Sequence, residues 1–423
     1  MRLKPFRAWR PRPELAARVA SPPYDVVSRE EATKLAEGNP LSFLHVGRSD
    51  IDLPPEVDPY DPAVYATARA NLDRLMQDGV LQQDQQPVLF LYQLTMQGRS
   101  QVGVVGCVHI DDYAADIIRK HEKTRRDKED DRTRHVLTLD ANAEPVFLTF
   151  RDEARLAGLI AEGTRGPALY DFTAADGIRH QVWRIADPVP WVDAFTAVPV
   201  AYVADGHHRC ASAWRAGQEL RSTAVGEDGA EYEWFLATLF PASQLRILPY
   251  HRVVRDLNRL SPEQFLARLG EVGRVEQAPQ ADPAAPGTIG FFLAGRWYHL
   301  TLPPNSIDRS DPIRSLDAAL LEERVLGPIL DIGDIRTDKR IDFVGGIRGT
   351  AELERRVNSG EMALAVALYP VTVEQLMAVS DAGAIMPPKT TWFEPKLRSG
   401  LFVHTLDSPI PSHQSLTPVR GNV

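Results

Sequence analysis

Five consecutive residues in the middle of the chain combine side chains that could bind or activate a phosphate group. Directly after the apolar run "VPVAYVA" come Asp205, Gly206, His207, His208 and Arg209. Adjacent histidines point to different faces of any regular element, so ordinary core packing does not account for this pair. The cluster "DGHHR" is therefore the first candidate for a functional site.

The pattern around this cluster predicts a strand followed by a helix. Residues 197–204 have the composition of a buried strand, and Cys210, Ala213 and Trp214 follow at the spacing of one helix face. Gly206 would permit a sharp turn and the close approach of a ligand. The first N–H groups of the helix lack internal partners and carry the positive end of its dipole. This turn should therefore attract an anion, most simply a phosphate.

The side chains at the turn indicate which chemistry could follow. Arg209 would bind the phosphate, and His207 and His208 are candidate catalytic residues and donors. Asp205 could cap the helix, ligate Mg²⁺, or accept the proton of a substrate hydroxyl. Chelation of one metal ion by both histidines is disfavoured, because neighbouring imidazoles rarely reach the same ion.

A run of charges, "RKHEKTRRDKEDDRTRH" (119–135), is the second candidate region. One interpretation is a solvated helix with i,i+4 pairs such as Glu122 with Arg126. The other is a part of a phosphoryl-transfer site, which needs positive charge and a carboxylate for base or metal chemistry. In that case Glu122 is the preferred base and a metal ligand. The phosphates would then be contacted by His121, Lys123, Arg125 and Arg132.

Two proline-rich segments could complete such a site. In "PPYDVV" (22–27), Tyr24 could stack on a nucleotide base or pack internally, and Asp25 could bind a metal or cap the following segment. In "MPPKTTWFEPKLRSG" (386–400), Lys389 could close over the phosphates, or the segment could be a strap packed by its aromatic residues. The sequence contains neither a GxxxxGK[ST] phosphate loop nor a GxGxxG dinucleotide motif.

Composition limits the classes of function. The chain has 423 residues, 43% of them hydrophobic, and a net charge of -9. The acidic balance argues against a general affinity for nucleic acid. Cys107 and Cys210 are too few and too far apart for a disulfide framework, which fits a reducing cytoplasm. No apolar run approaches the roughly 20 residues that span a bilayer, and no signal peptide is recognisable, so we expect a cytoplasmic protein without a membrane partner.

Helix and strand patterns divide the chain into two α+β regions. We predict a helix over 64–81 and a hairpin from strands 87–96 and 101–110. The pattern changes near residue 255, and Ser261-Pro262 is a good start for a helix. We therefore predict an N-terminal region 1–254, a C-terminal region 255–407 and a disordered tail 408–423.

The stretch "DGHHRCASA" (205–213) resembles the signature of the DUF1015 family of bacterial and archaeal proteins. Further stretches that look like blocks of this family span nearly the whole chain: "SPPYDVVSREEA" (21–32), "NPLSFLHV" (39–46), residues 119–135 and residues 386–401. A more distant resemblance covers only the motif with its flanking strand and helix. This turn is similar to the nucleotide-binding turn of the ParB/sulfiredoxin superfamily, which includes ADP- or ATP-dependent free serine kinases.

The distant resemblance implies an α+β fold whose ParB/sulfiredoxin-like nucleotide-binding core is elaborated by N-terminal and C-terminal α+β regions. In sulfiredoxins the reactive cysteine precedes the His-Arg pair, whereas here that position is His207. Cys210 lies on the helix face instead, so sulfinic-acid reduction is not expected. Phosphoryl transfer of the serine-kinase type needs no cysteine.

The favoured hypothesis is a nucleotide-dependent small-molecule kinase. It would use ATP or ADP with Mg²⁺, held near Asp205 or Glu122, and phosphorylate the hydroxyl of a small metabolite. The alternatives are a phosphoester hydrolase with the same anion site and a nucleotide-sensing regulator without turnover. The carboxylate of Glu122 favours catalysis over sensing, because a sensor needs no general base. The acceptor, the nucleotide and the oligomeric state, including a homo-oligomer, stay open.

Overall fold

The protein is described here by a computed structural model covering residues 1–223 and 229–407. The predicted disordered tail, 408–423, lies outside the described residues. The fold is α+β, as predicted. The chain forms two compact units. The first consists of Met1–Arg119, Thr124–Gln244 and the described part of Pro395–Val423, and the second of Lys120–Lys123 and Leu245–Glu394.

A large mixed sheet forms the centre of the first unit. Its strands lie in the order Ile118–Arg119, Ala201–Asp205, Val146–Phe150, Trp234–Pro241, Arg99–His109, Leu89–Met96, Arg179–Ile185 and Tyr170–Thr173, and Leu3–Lys4 also pairs with Arg99–His109. Ala201–Asp205 is parallel to Ile118–Arg119, and Trp234–Pro241 is parallel to Val146–Phe150. The other pairs of neighbouring strands are antiparallel. Every residue of Val146–Phe150 is buried, as expected for a strand covered on both faces.

Helices complete the hydrophobic cores of the first unit. They are Ala16–Val19, Arg29–Ala36, Leu44–Gly47, Pro62–Gln77, Ile110–Ala114, Arg126–Leu139, Ala154–Gly163, Val189–Thr196 and His207–Thr223. Two short ladders accompany the main sheet, Trp9–Pro11 with Leu81–Gln83 and Ala141–Asn142 with His404–Thr405. The second of these ladders ties the C-terminal segment of the described chain to the first unit.

Local sequence signals account for two of these elements, although the helix predicted over 64–81 runs over Pro62–Gln77 and Leu81 begins a strand. The helix Pro62–Gln77 begins where the Asp61 side chain accepts the N–H of Ala63, with proline at the first helical position. Leu89–Met96 and Arg99–His109 form the predicted hairpin. Its turn consists of Gln97 and Gly98, both at positive φ (51° and 77°), the backbone that a tight hairpin requires.

The second unit is built on an antiparallel sheet of its own. The strands lie in the order Arg274–Ala278, Arg296–Thr301, Thr288–Leu293, Leu364–Leu368, Tyr250–Val254 and Ile341–Gly345, and Ile247–Leu248 pairs separately with Trp392–Phe393. The helices are Pro262–Val272, Asp317–Leu321, Gly349–Asn358 and Val373–Asp381, and a π-helical turn spans Glu322–Leu326.

Each unit combines separate stretches of the sequence. A single domain boundary at residue 254 therefore does not describe them. Strand Tyr250–Val254, assigned by its position to the N-terminal region, pairs with Ile341–Gly345 and Leu364–Leu368 in the sheet of the second unit. The strand was recognisable from its apolar composition, but its partners follow roughly 90 and 110 residues later. Composition alone does not identify them.

The charge run 119–135 is not one solvated helix. The helix begins only at Arg126, and residues 120–125 are not helical, so the predicted i,i+4 pair of Glu122 with Arg126 is wrong. Helix Arg126–Leu139 contacts both Pro62–Gln77 and His207–Thr223. Because two helices cover it, the helix buries the charged or polar side chains of Asp131, Arg132 and His135.

Among the described residues, no helix combines the length and the apolar character that crossing a membrane requires.

Candidate active site at the start of helix His207–Thr223

The predicted strand-turn-helix surrounds Gly206. Strand Ala201–Asp205 ends at this residue, which has a φ of +96°, and helix His207–Thr223 follows. The Cys210 N–H donates to the Gly206 carbonyl at 2.9 Å, which closes the first turn of the helix. Cys210 and Ala213 are buried in the core of the unit, as their spacing predicted. The packing of these two residues fixes the direction in which the helix starts.

Arg209 is a buried cation surrounded by oxygen atoms. Its Nη1 donates to the Pro145 carbonyl at 2.6 Å, and its Nη2 donates to Asp205 Oδ2 at 3.0 Å. Asp25 Oδ2 lies 3.8 Å from the same Nη2. The residue is only 8% exposed, and its buried Nε has no hydrogen-bond partner among the described residues. Arg209 therefore retains one donor that nothing in the described chain satisfies.

Asp205 is held between two cations. Besides Arg209, Lys396 Nζ lies 3.4 Å from Asp205 Oδ1. Burial opposes ionisation of this carboxyl group, but Lys396 and Arg209 outweigh it and lower the pKa of Asp205 to about 2. Asp205 is thus a permanent anion at neutral pH, and its side chain remains partly exposed.

Lys396 is a site residue that the sequence analysis passed over in favour of Lys389. Both lie in the segment 386–400, and only the partners of each distinguish them. Lys396 belongs to the first unit and contacts Asp205. Lys389 belongs to the second unit, where its Nζ lies 5.7 Å from the centre of the Tyr250 ring. The predicted phosphate contact of Lys389 stays a prediction.

A third carboxylate, Glu144, was missed completely. The Tyr24 N–H and the Ser399 hydroxyl both donate to Glu144 Oε1, at 3.4 Å and 3.1 Å. Burial raises the pKa of Glu144, although the charges of Arg209 and Arg132 oppose that rise. In the sequence Glu144 is a single acidic residue before a buried strand, so it carried no motif signal.

Tyr24 packs internally, which was one of its two predicted roles. The Arg132 guanidinium lies over the ring, 4.2 Å from its centre, and Arg132 Nε donates to Asp131 Oδ2 at 2.9 Å. Arg132 Nη1 is buried and has no hydrogen-bond partner among the described residues. Arg132 therefore stands beside Glu144 as a second incompletely satisfied cation, and its predicted phosphate contact stays a prediction.

The two histidines of the motif differ in their surroundings. His207 is buried in the first turn of the helix. His208 Nε2 accepts the backbone N–H of Arg125 at 3.1 Å, so the proton of the neutral ring lies on Nδ1. Burial lowers the pKa of His208. The Arg125 guanidinium is exposed and binds Asp127 at 2.7 Å, so Arg125 contributes its backbone to this site.

The remaining predicted residues, His121, Glu122 and Lys123, belong to the second unit. There the His121 carbonyl accepts the N–H of Met386 at 2.8 Å, and His121 Nε2 lies 3.3 Å from the Thr391 hydroxyl. The roles of these three residues in phosphate binding, base catalysis and metal binding stay predictions.

Arg132, Glu144 and Arg209 line a small internal cavity of about 30 Å³, together with Ser212 and the apolar side chains of Ala213 and Phe235. This volume holds one or two water molecules, since a water needs at least roughly 10–15 Å³. A larger ligand could not enter the cavity. It would meet the site from the side where the carboxylates of Asp25 and Asp205 are partly exposed.

The first unit thus brings together three cations, Arg132, Arg209 and Lys396, with three carboxyl groups, Asp25, Glu144 and Asp205. The predicted turn supplies only Asp205 and Arg209, and the rest come from four other segments. Cations of this kind bind phosphate oxygens, and partly exposed carboxylates bind Mg²⁺ or accept protons. The arrangement therefore places groups of the kind that bind phosphate next to groups of the kind that bind a divalent cation.

The solved structures that align with this chain do so at low similarity. A mutant free serine kinase in complex with AMP aligns with a TM-score of 0.35 and 12% identity, over 70% of this chain and 91% of that one. A C-terminally truncated SbnI from Staphylococcus aureus aligns with a TM-score of 0.38 and 13% identity, over 73% and 90%. A conserved hypothetical protein from Pyrococcus furiosus gives 0.34 and 13%, over 71% and 96%.

Among curated proteins, no sequence matches this chain. A family model described as "Protein of unknown function (DUF1015)" matches residues 3–319, which is well over half of the chain. The chain is a member of the DUF1015 family.

Proposed function

We propose that this protein is a nucleotide-dependent kinase that binds the phosphates of ATP or ADP at the start of helix His207–Thr223 and phosphorylates the hydroxyl of a small metabolite. The observation that carries the proposal is the buried Arg209, which has an unsatisfied Nε and lies beside two partly exposed carboxylates. A guanidinium at a helix start, with acidic groups next to it, is the combination that a metal-bound phosphate requires.

The phosphates would be held by positive groups of three kinds. The first N–H groups of the helix point toward the turn, where Gly206 has no side chain and the Arg209 guanidinium packs against it. Arg209 adds a planar set of donors, and Lys396 adds a point charge. Asp205 now pairs with both Arg209 and Lys396. A phosphate that binds would therefore have to replace Asp205 as the partner of these two cations.

Asp205 fits a hard divalent cation. It offers carboxylate oxygens, the ligands that Mg²⁺ prefers. In the present arrangement Arg209 and Lys396 contact the oxygens of Asp205, so a metal ion would replace them as the phosphate draws them away. Bound there, Mg²⁺ would neutralise the charge of the transferred group. Nucleotide and metal would therefore bind together more tightly than either one alone.

Asp25 is the carboxylate in this unit best placed to serve the acceptor. Its side chain is 38% exposed, whereas that of Asp205 is 27% exposed and already contacts two cations. As the acceptor oxygen forms its bond to the terminal phosphorus, the bond from that phosphorus to the bridging oxygen breaks. The hydroxyl proton passes to Asp25, and the shortened nucleotide leaves.

Calorimetric titration of ATP and ADP, each with Mg²⁺, tests the proposal. We expect binding by the wild type and a loss of at least about tenfold in affinity in Arg209→Ala, the size typical of removing a charge-assisted hydrogen bond. Arg221→Ala is the matched control. Arg221 lies on the same helix and also pairs with two carboxylates, Asp111 and Glu233.

Turnover is then measured with labelled nucleotide and a panel of hydroxyl acceptors, beginning with serine. Transfer to an acceptor supports the kinase. Release of inorganic phosphate without an acceptor would replace it with the hydrolase, and binding without any turnover would replace it with the sensor. If neither nucleotide binds to the wild type, the proposal is wrong.

A further inference from the structure

Arg398 lies outside the candidate site and has no role in the proposed function, yet several buried contacts hold its side chain. It is 7% exposed, and its Nε donates to His180 Nε2 at 3.2 Å. Its Nη2 forms a salt bridge with Asp176, and its backbone N–H donates to the Tyr92 hydroxyl at 3.4 Å. All these residues belong to the first unit. We call the pocket formed by Tyr92, Asp176 and His180 the arginine socket.

The socket is built to accept an arginine. Because His180 Nε2 accepts from Arg398, the proton of the neutral ring lies on Nδ1, which donates to the Tyr92 hydroxyl at 2.8 Å. Burial and the Arg398 charge lower the pKa of His180 to about 3, so the ring keeps this form at neutral pH. Phe172 stacks on the other side of the imidazole, with ring centres 5.2 Å apart. Arg398, Tyr92 and Phe172 therefore together fix the orientation of the His180 ring.

The residues on either side of Arg398 reach the candidate site. Lys396, two positions earlier, contacts Asp205, and Ser399, the next residue, donates its hydroxyl to Glu144. Both contacts come from one irregular segment, which no helix or long strand supports. The Arg398 side chain binds His180 and Asp176 of the first unit, so it helps to fix where its neighbours in the segment lie.

The same segment also holds the loop that carries Asp25. Ser399 and Ser21 exchange backbone hydrogen bonds of 2.9 Å and 3.1 Å. Pro22 and Pro23 follow Ser21 and restrict the backbone up to Tyr24 and Asp25. A displacement of residue 399 would therefore move Asp25 as well as Lys396.

We propose that Arg398 is a positioning residue that, through the arginine socket, places Lys396 for phosphate and Asp25 for the acceptor. The part that concerns ligands rests on the proposed function, whereas the part that concerns Lys396 does not. Arg398 itself would touch neither nucleotide nor acceptor. Its effect would be transmitted by the segment 396–399 and by the Ser399–Ser21 bridge.

The test compares Arg398→Met, Arg398→Lys and Asp176→Asn with the wild type. The matched control is Arg10→Met, since Arg10 is another largely buried arginine of the first unit, bound to Asp84 at 2.9 Å. Acylation of lysines by acetic anhydride, followed by mass spectrometry, measures how often Lys396 leaves Asp205. Lys4, paired with Glu231 at 2.8 Å, is the internal reference.

We expect Lys396 to be acylated about tenfold faster in Arg398→Met, if the loss of the socket favours the open form by about 1.4 kcal/mol. Asp176→Asn should give a smaller increase, and Arg398→Lys should restore part of the protection. Lys4 should react at its wild-type rate in all three, and Arg10→Met should leave Lys396 unchanged. The affinity for Mg²⁺-nucleotide should fall in the same order as Lys396 is released.

Unchanged acylation of Lys396 in Arg398→Met would overturn the proposal. If that variant does not fold, Asp176→Asn decides, because Asp176 is 45% exposed and its replacement leaves the core intact. An equal increase at Lys396 and Lys4 would reduce Arg398 to a general stabilising residue and also overturn the proposal. Failure of the wild type to bind nucleotide would refute the proposed function alone, since the acylation result does not depend on it.

Discussion

A β-carbon on Gly206 would lie 2.9 Å from Nε of Arg209. Real β-carbon contacts are essentially never shorter than 3.0 Å, so one of the two residues would have to move. Gly206 is thus required twice, once for its φ of +96° and once for the space that the guanidinium occupies. The turn and the buried cation depend on each other.

Comparing Gly206→Ala with a control variant separates the backbone requirement from the space requirement. Gly206→Ala should destabilise the protein by about 1–2 kcal/mol through its backbone, and should also displace Arg209 and abolish nucleotide binding. Gly79→Ala is the control, because Gly79 has a φ of +66° but nothing within 4 Å of its β-carbon position. That variant should show the loss of stability alone, as measured by urea unfolding and calorimetric titration. Equal nucleotide affinity in both variants would contradict the assigned position of Arg209 in the binding site.

Asp205→Asn should change how nucleotide affinity depends on magnesium. Asp205 now neutralises Arg209 and Lys396, and its low pKa keeps it charged throughout the physiological range. Without that charge, both cations become available to a phosphate, while one metal ligand is weakened. We expect this variant to bind metal-free nucleotide about tenfold more tightly than the wild type. The gain in affinity on adding Mg²⁺ should be about tenfold smaller than in the wild type. An unchanged ratio of the affinities with and without Mg²⁺ would contradict this exchange of partners.

Two carboxylates compete for the role of the general base. The sequence predicts Glu122, whereas the geometry of the first unit favours Asp25 because of its exposure near Arg209. Asp25→Asn should retain nucleotide binding and lower the rate of phosphoryl transfer by about 10²–10⁴-fold. Glu122→Gln should leave turnover within a fewfold of the wild type. The opposite result in a single-turnover assay would assign the base to Glu122.

The first unit should lose stability on mild acidification. Burial is the main cause that lowers the pKa of both His135 and His180 to about 3, whereas in the unfolded chain a histidine titrates near 6.5. Below pH 6.5 the unfolded chain takes up protons that the folded unit does not accept, so the free energy of unfolding falls as the pH falls. With two such histidines, the free energy of unfolding should fall by up to about 2.7 kcal/mol for each pH unit.

Urea unfolding at pH 7, 6 and 5 measures this slope. His135→Gln should reduce it by about half, because glutamine can still donate to the Val46 carbonyl that His135 Nε2 contacts at 3.1 Å. A variant that loses stability with pH as steeply as the wild type would show that His135 does not contribute.

Asp317 in the second unit should behave in the opposite way. Burial raises its pKa to about 6, although the side chain accepts the Gly287 N–H at 2.7 Å. Between about pH 3.8 and pH 6 this carboxyl group ionises in the unfolded chain but stays protonated in the folded state. The free energy of unfolding therefore falls over this range, and the loss remains above pH 6. Asp317→Asn removes it while keeping an acceptor for Gly287. We expect this variant to gain about 3 kcal/mol at pH 7.5 and almost nothing at pH 4, as measured by urea unfolding. The exposed Asp282→Asn should leave the stability unchanged at both pH values.

Local signals in the sequence were sufficient for most of the secondary structure. Ser261-Pro262 does begin a helix, with the Ser261 side chain and Gln264 forming a reciprocal cap. The "DGHHR" turn lies between strand and helix as its composition indicated. These features depend on neighbouring residues only, and propensity, capping and alternation describe such neighbours well. The ParB/sulfiredoxin-like core stays a prediction.

The site itself depends on contacts that no local pattern contains. Glu144 is bound by Tyr24 and Ser399, which are 120 and 255 residues away in the chain. Lys396 and Lys389 have similar surroundings in the sequence, and only the tertiary structure shows which of them meets Asp205. Arg132 was read within a charge run, but helix packing on two sides buries it. A buried charge in a polar stretch has no periodic signal, so the sequence indicated Arg132 as a phosphate contact but did not predict that its side chain is buried.

The sequence order of the two units has a consequence for biosynthesis. The ribosome completes the second unit, Lys120–Lys123 and Leu245–Glu394, before it adds the segment with Lys396 and Arg398. Until then the arginine socket stays empty, and Asp205 and Glu144 lack their partners from that segment. A nascent chain, or one truncated before residue 395, thus carries the complete "DGHHR" turn and still lacks an assembled site. The candidate site can therefore assemble only after the segment with Lys396 and Arg398 has been synthesised.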